Sequence, residues 1–114
     1  MEGSYSQGLK ISAPKELVFI SGQVPEIEGE SLPNDFKTQC EFVWRNIENQ
    51  RKDAGMKLTD NVKFPTFLSD RIYREEHYQI RNRVLKGHKP AMTFIITGIY
   101  DESLLLEIEV IAAN

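Results

Sequence analysis

The last third of the chain holds two β-rich runs that carry apolar residues on both sides. In Leu104 to Ala112 the two-residue period of a strand sets Leu104, Leu106, Ile108 and Val110 on one face. Leu105, Glu107, Glu109 and Ile111 fall on the other. Met92 to Thr97 likewise sets Phe94 and Ile96 opposite Ile95. The first face of the last strand suits packed helices, while the second is neither cleanly polar nor cleanly apolar. A sheet covered by helices on one face and by another subunit on the other accounts for both patterns, because an exposed apolar face of that size is unusual in a monomer. The pattern therefore asks for helices and for an oligomer.

The rest of the chain supplies the helices. From Asp35 to about Ala54, Phe36, Cys40, Val43, Trp44, Ile47 and Ala54 recur at three- and four-residue steps, with Asn34 as N-cap, Asp35 in the first turn and Gly55 as a left-handed end. Cys40 and Trp44 lie on the apolar stripe and read as core residues. Ser69-Asp70 caps a second helix, Arg71 to about Lys86, whose weaker stripe is Ile72, Tyr73, Ile80 and Val84 and which Gly87 closes. Before the first helix, Gly8 to Ser12 and Glu16 to Ser21 read as a hairpin turning over Ala13-Pro14-Lys15, and Glu26 to Asn34 reads as a loop. Asn61 to Leu68 is a strand in which Pro65 removes a ladder donor and points to a bulge or an edge. A turn over Gly98 to Ser103 joins the last two strands. The order is ββαβαββ, an α+β single domain over residues 1–114. A length of 114 residues with 40% hydrophobic content supports one core and not two.

Composition removes several functions. A lone Cys40 makes no internal disulfide and no cysteine-based zinc motif, and His77 and His88 are too few and too far apart for a metal site. A net charge of -3 with pI near 5.4 argues against an extended nucleic-acid surface. Arg71, Arg74, Arg81 and Arg83, interleaved with Glu75 and Glu76, read as the solvated face of a helix. No basic leader precedes an apolar run, and no stretch approaches the ~20 apolar residues of a membrane span. The expectation is a soluble, cytoplasmic protein.

Glu107 and Glu109 share a strand face two residues apart, which makes them a candidate centre for holding or passing a proton, although such a pair is more often a wetted surface. Ser21, before Gly22, has no base at a recognisable spacing and is suited to bind, not to attack. Tyr5 becomes a site residue only if the N-terminal segment packs across a cleft.

Four motifs span nearly the whole chain: Gly3-Ser4-Tyr5-Ser6-Gln7, Ile20-Ser21-Gly22-Gln23-Val24-Pro25, Lys89-Pro90-Ala91, and Glu107-Ile108-Glu109 running on to Ala112. Together they resemble the Rid (reactive intermediate deaminase) family, also known by the names YjgF and endoribonuclease L-PSP. The resemblance implies a chorismate-mutase-like subunit, a mixed sheet with two helices on one face, that assembles as a homotrimer with small-molecule pockets in the clefts between subunits. It implies hydrolysis of an imine to a carbonyl compound and ammonia with no metal and no organic cofactor. Glu107 corresponds to the glutamate that positions the attacking water. Tyr5, Ser21 and the Gly22 backbone match other parts of the pocket, and Thr93 and Phe94 would line it beside Met92.

Met92 departs from the pattern. The family's deaminases carry an arginine directly after Pro-Ala, which grips the carboxylate of a 2-imino acid. A guanidinium gives a carboxylate two parallel charged hydrogen bonds, each worth roughly 1.5–3 kcal/mol, and a thioether gives none. The substitution favours a neutral or partly apolar ligand unless Lys89, Arg71 or another residue reaches the cleft. Pro65 and Glu76 depart in smaller ways, the first in a strand that the family keeps continuous and the second at a helix position usually apolar. The alternatives are a metabolite-binding trimer without turnover and, more weakly, a ribonuclease, which would need a basic, aromatic surface.

Overall fold

Strand alternation decides how the sheet is covered. The computed structural model describes residues 5–114, and within them the strands are β1 (Leu17–Gln23), β2 (Asn61–Leu68), β3 (Ala91–Ile96) and β4 (Leu106–Ala113). Phe64, Leu68, Leu106, Ile108 and Val110 are at most 1% exposed, and all point to the side on which the helices lie. Those helices are α1 (Phe36–Asp53) and α2 (Arg74–Leu85). The sheet runs in the order β1-β4-β2-β3. β4 is antiparallel to both of its neighbours, and β2 and β3 are parallel with α2 as the crossover between them.

The expected opening hairpin does not form. Residues 8 to 12 make no strand, and Leu9 and Ile11 stay 44% and 45% exposed. The chain instead lays Ser6 in a parallel bridge beside Ala91, with Ser6 N–H donating to the Pro90 carbonyl at 2.9 Å. The element order is therefore βαβαββ. Pro65 is neither at an edge nor in a bulge: it lies in register with Thr93 on the inner strand β2, and the irregularity of β2 falls between Asn61 and Lys63. The turn after β3 does not return to pair with it but carries the chain past β2 to β4.

α1 forms as its pattern predicts, with the cap one residue later. Asp35 is the N-cap, in extended conformation, and its carboxylate accepts from Thr38 N–H at 2.9 Å and Thr38 Oγ1 at 2.7 Å. Cys40, Val43, Trp44 and Ile47 are buried against the sheet, and Trp44 meets Phe64 edge-on at 5.2 Å. Gln39, also buried, donates to the Pro33 and Ser103 carbonyls and accepts from Leu105 N–H, which ties the loop before β4 to α1. α2 departs further from expectation. Its buried residues are His77, Ile80, Arg81 and Leu85, while Ile72 is 74% exposed. Arg81, expected on a solvated face, is fully buried.

The face of the sheet turned away from the helices carries Leu17 and Phe19 on β1, Phe67 on β2, Ile95 on β3 and Ile111 on β4. Phe19 is 72% exposed and Leu17 56%. This is the mixed face that the last strand announced.

Candidate active site

The residues singled out in the sequence fall into two groups, one where β1 meets β4 and one around the outer strand β3. β1 carries one group. Its ladder pairs Ile20 with Val110 and next pairs Gln23 with Ile108, so β1 spends one residue more than β4, which makes a bulge of Ser21 and Gly22. A Cβ placed on Gly22 would lie 2.7 Å from the Glu107 carboxyl carbon and closer still to Oε2. The Glu107 carboxylate therefore rests on the Gly22 backbone, an approach that only a residue without a side chain permits. Glu107 is half-buried there, Glu109 on the same face is exposed, and Ser21 is exposed beside the bulge.

The other group gathers around β3. The Ser6 bridge sets Tyr5 next to the start of that strand, half-buried and near enough for its phenol to act electrostatically on Arg81. Alternation divides the three residues after Pro-Ala. Met92 packs against the helix-side core, Thr93 is exposed on the open face, and Phe94 returns to the helix side. The Phe94 ring meets His77 edge-on at 5.7 Å and lies 4.8 Å from the Arg81 guanidinium, which also faces the Tyr78 ring at 5.4 Å. β1 and β3 are the outer strands, three strand spacings or roughly 14 Å apart. Within one protomer the structure joins Glu107 to Gly22 and Ser21 but keeps them away from Tyr5, Met92 and Phe94. Gly3 and Ser4 of the first motif lie outside the described residues.

Beneath Phe94 lies a feature that sequence reasoning missed. Leu68, Arg71, Arg74, His77, Phe94 and Ile96 line a cavity of about 260 Å³ between α2 and the outer edge of β3. His77 is 1% exposed, with Nδ1 4.0 Å from Cys40 Sγ. Burial, and secondarily the positive Arg81, depress its pKa to about 3, so the imidazole is neutral. Burial likewise pushes the Cys40 thiol up to about 12 and lowers the pKa of Arg81. The signal for this arrangement was a stripe, His77, Ile80, Arg81 and Leu85, at helical spacing, in which two members are polar. Among the described residues no group of three or more His, Cys, Asp or Glu side chains could hold a metal ion, and no helix is long and apolar enough to cross a membrane.

Comparison with known proteins places the whole chain. The family model described as endoribonuclease L-PSP matches residues 1–114. The mitochondrial protein mmf2 of Schizosaccharomyces pombe is 28% identical over 115 residues, covering 98% of this chain and 89% of its own. Among solved structures, yeast Mmf1 is similar with a TM-score of 0.79 at 27% identity, covering 100% of this chain and 90% of that one. The YyfB protein of Yersinia pestis, described as a member of the conserved Rid family, has a TM-score of 0.86 at 22% identity, covering 97% and 87%. A bulge that sets a half-buried glutamate on a glycine backbone, on a chorismate-mutase-like sheet with two helices, is thus carried by a chain that belongs to the Rid family, the endoribonuclease L-PSP family.

Proposed function

We propose that this chain is a cofactor-independent imine or enamine hydrolase that works as a homotrimer, with a substrate range moved away from 2-imino acids. The observation that carries this reading is the Glu107 carboxylate held on the Gly22 backbone. Glu107 positions a water, whose oxygen adds to the C=N carbon while its protons pass to nitrogen. The C–N bond then breaks, ammonia leaves, and the water oxygen becomes the carbonyl oxygen. Glu107 takes and returns a proton, and no oxidant or reductant is needed.

Two features support an inter-subunit cleft for the reaction. Glu107 on the inner strand β4 leans on Gly22 of the outer strand β1, whereas the Tyr5–Met92 group lies on the other outer strand, β3, two strand spacings from β4, so a neighbouring protomer brings the second group to the first. The apolar open face, with Phe19 at its outer strand, is a surface for that neighbour. Phe19→Lys is accordingly expected to reduce the mass measured by light scattering to about one third, since a buried lysine without a partner opposes assembly. An unchanged mass would remove the open face from the interface. The compartment we infer is the cytoplasm, where a lone buried thiol stays reduced.

Met92 sets the substrate range. Seated against the core and without a charge, it offers a carboxylate nothing. Ammonia release from 2-imino acids and from neutral imines, both generated in situ, tests the reading. The unmodified chain is expected to act on neutral imines in preference. Met92→Arg is expected to raise the 2-imino acid rate at least about tenfold, as one restored charged hydrogen bond would do. Ligand binding with no ammonia from any imine, in either protein, would identify a metabolite-binding trimer instead.

A further inference from the structure

A second cavity, of about 230 Å³, lies where the later turns of α1 meet the C-terminal end of α2. Trp44 and Ile47 of α1, Val84 of α2 and Leu58, in the short turn before β2, give it apolar walls, and its rim carries Glu48, Arg51, Lys52 and Lys86. Lys52 pairs with Glu48 at 2.7 Å, and Arg51 donates to the Met56 carbonyl at 3.0 Å. Arg51 and Lys86 enter no ion pair among the described residues, whose pairs are Arg45–Glu30, Lys52–Glu48 and Arg83–Glu41. All three cations nevertheless reach Glu48: the hydrogen bond from Lys52, and then the charges of Lys52, Arg51 and Lys86, lower its pKa. Three positive charges thus gather around one negative charge and leave a surplus of two.

Asn61, the first residue of β2, adds an independent observation. It lines the cavity at 2% exposure, and its side-chain oxygen is buried with no hydrogen-bond partner among the described residues. Its backbone carbonyl is satisfied, accepting from His88 Nε2 at 2.5 Å. Buried amides ordinarily have their partners. Basic residues at two helix C-termini are by themselves ordinary compensation of the helix dipoles, but an orphaned amide in the wall of the cavity that they surround is not. A ligand hydroxyl can supply the partner whichever way the amide lies, because a hydroxyl both donates and accepts.

We propose that this cavity binds a small phosphomonoester whose short apolar body ends in a hydroxyl. Arg51, Lys52 and Lys86 hold the phosphate, Ile47, Leu58 and Val84 hold the body, and the Asn61 amide bonds the hydroxyl. A phosphomonoester carries about −1.5 to −2 charge near neutral pH, which complements the positive surplus at the rim. Lysine ammoniums act as point charges on the oxygens of a tetrahedral group, whereas a planar carboxylate is better matched by paired guanidinium forks. At the ~30 Å³ that a water takes up in the liquid, the volume holds roughly eight non-hydrogen atoms, a body far smaller than a nucleoside. None of these residues belongs to the Glu107 group or to the Tyr5–Met92 group, so the proposal does not rest on the hydrolase reading.

Calorimetric titration of the full chain with 4-hydroxybutyl phosphate, butyl phosphate, 1,4-butanediol and inorganic phosphate tests it, with the emission of Trp44, the chain's single tryptophan, followed on the same samples. The hydroxybutyl ester is expected to bind at least about tenfold more tightly than each of the other three and to change the Trp44 emission as it saturates. The double variant Lys52→Gln/Lys86→Gln, altered only at exposed positions, is expected to lose at least about tenfold in affinity for it, whereas Glu107→Gln keeps the full affinity. Asn61→Leu is expected to bring the hydroxybutyl ester down to the affinity of butyl phosphate; should that variant not fold, the double variant and the butyl phosphate comparison decide. Absence of binding, equal binding of inorganic phosphate or butyl phosphate, or an unchanged affinity in the double variant would each overturn the proposal. So would binding that leaves the Trp44 emission unchanged, which would put the ester elsewhere on the molecule.

Discussion

Glu107→Gln is expected to lower imine hydrolysis at least about 100-fold while leaving the protein folded and assembled, because a positioned proton-transfer group contributes typically 10²–10⁴-fold. Glutamine keeps the length and shape of the side chain on the Gly22 backbone but cannot take a proton from water. A second variant separates chemistry from position. Gly22→Val keeps Glu107 but puts a side chain where the carboxylate lies, 2.7 Å or less from its carboxyl carbon at the first atom alone. The atoms displaced belong to the far end of a flexible side chain, so Glu107 swings aside and the core, on the other face of β4, is undisturbed. A loss comparable to that of Glu107→Gln, with an unchanged thermal midpoint, is therefore expected. Steady-state ammonia release, with circular dichroism melts and light scattering on the same samples, reads all three quantities. A full rate in Glu107→Gln would remove Glu107 from the reaction.

What the sequence made legible follows from where each residue's environment is decided. α1 could be read directly because its stripe from Phe36 to Ile47 is apolar and its ends carry a capping Asp35 and a left-handed Gly55. The alternation of β4 announced both a helix-covered and a mixed face, and the structure has both. α2 was harder because two of its buried positions hold His77 and Arg81, whose burial depends on Cys40 and Phe94, residues brought in by other parts of the fold. Pro65 reads as an edge residue by local rules, yet tertiary pairing places it on an inner strand. The opening hairpin failed for a similar reason: Gly8 to Ser12 has the composition of a strand, but the N-terminal segment finds its partner at Ala91 and leaves β1 as the outer strand. The contact of Glu107 with Gly22 was foreshadowed by the paired motifs. The arginine-rimmed cavity was not, since surface arginines read alike whether or not an apolar wall stands behind them.

Acidification should destabilise the protein well above the pH at which carboxylates titrate, and His77 is the cause. In the folded chain its pKa is depressed from 6.5 to about 3, chiefly by burial and then by the Arg81 charge. The unfolded chain binds a proton at this histidine as pH falls through about 6.5, whereas the folded chain does not until near 3. The stability gained from keeping His77 neutral is thus fully present above about 6.5 and is lost progressively between there and about 3. The slope approaches about 1.4 kcal/mol per pH unit, the free energy of one unit of pKa difference. Roughly 2–3 kcal/mol should disappear between pH 6.5 and 4.5, a large part of the 5–15 kcal/mol by which domains are stable. The groups around the ring do not offset it: Arg81 on α2 is already positive, the Cys40 thiol on α1 stays neutral, and Trp44 and Phe94 do not titrate. Asp35, Glu48 and Asp101 have lowered pKa values, so their contributions fade only at more acid pH. Urea unfolding at pH 7 and pH 5, at one protein concentration, measures the loss. His77→Phe keeps an aromatic ring between Trp44 and Phe94 without a titrating group and is expected to flatten the dependence over this range. A slope that persisted in His77→Phe would place the acid-sensitive group elsewhere and would mean that His77 is not held neutral by the fold.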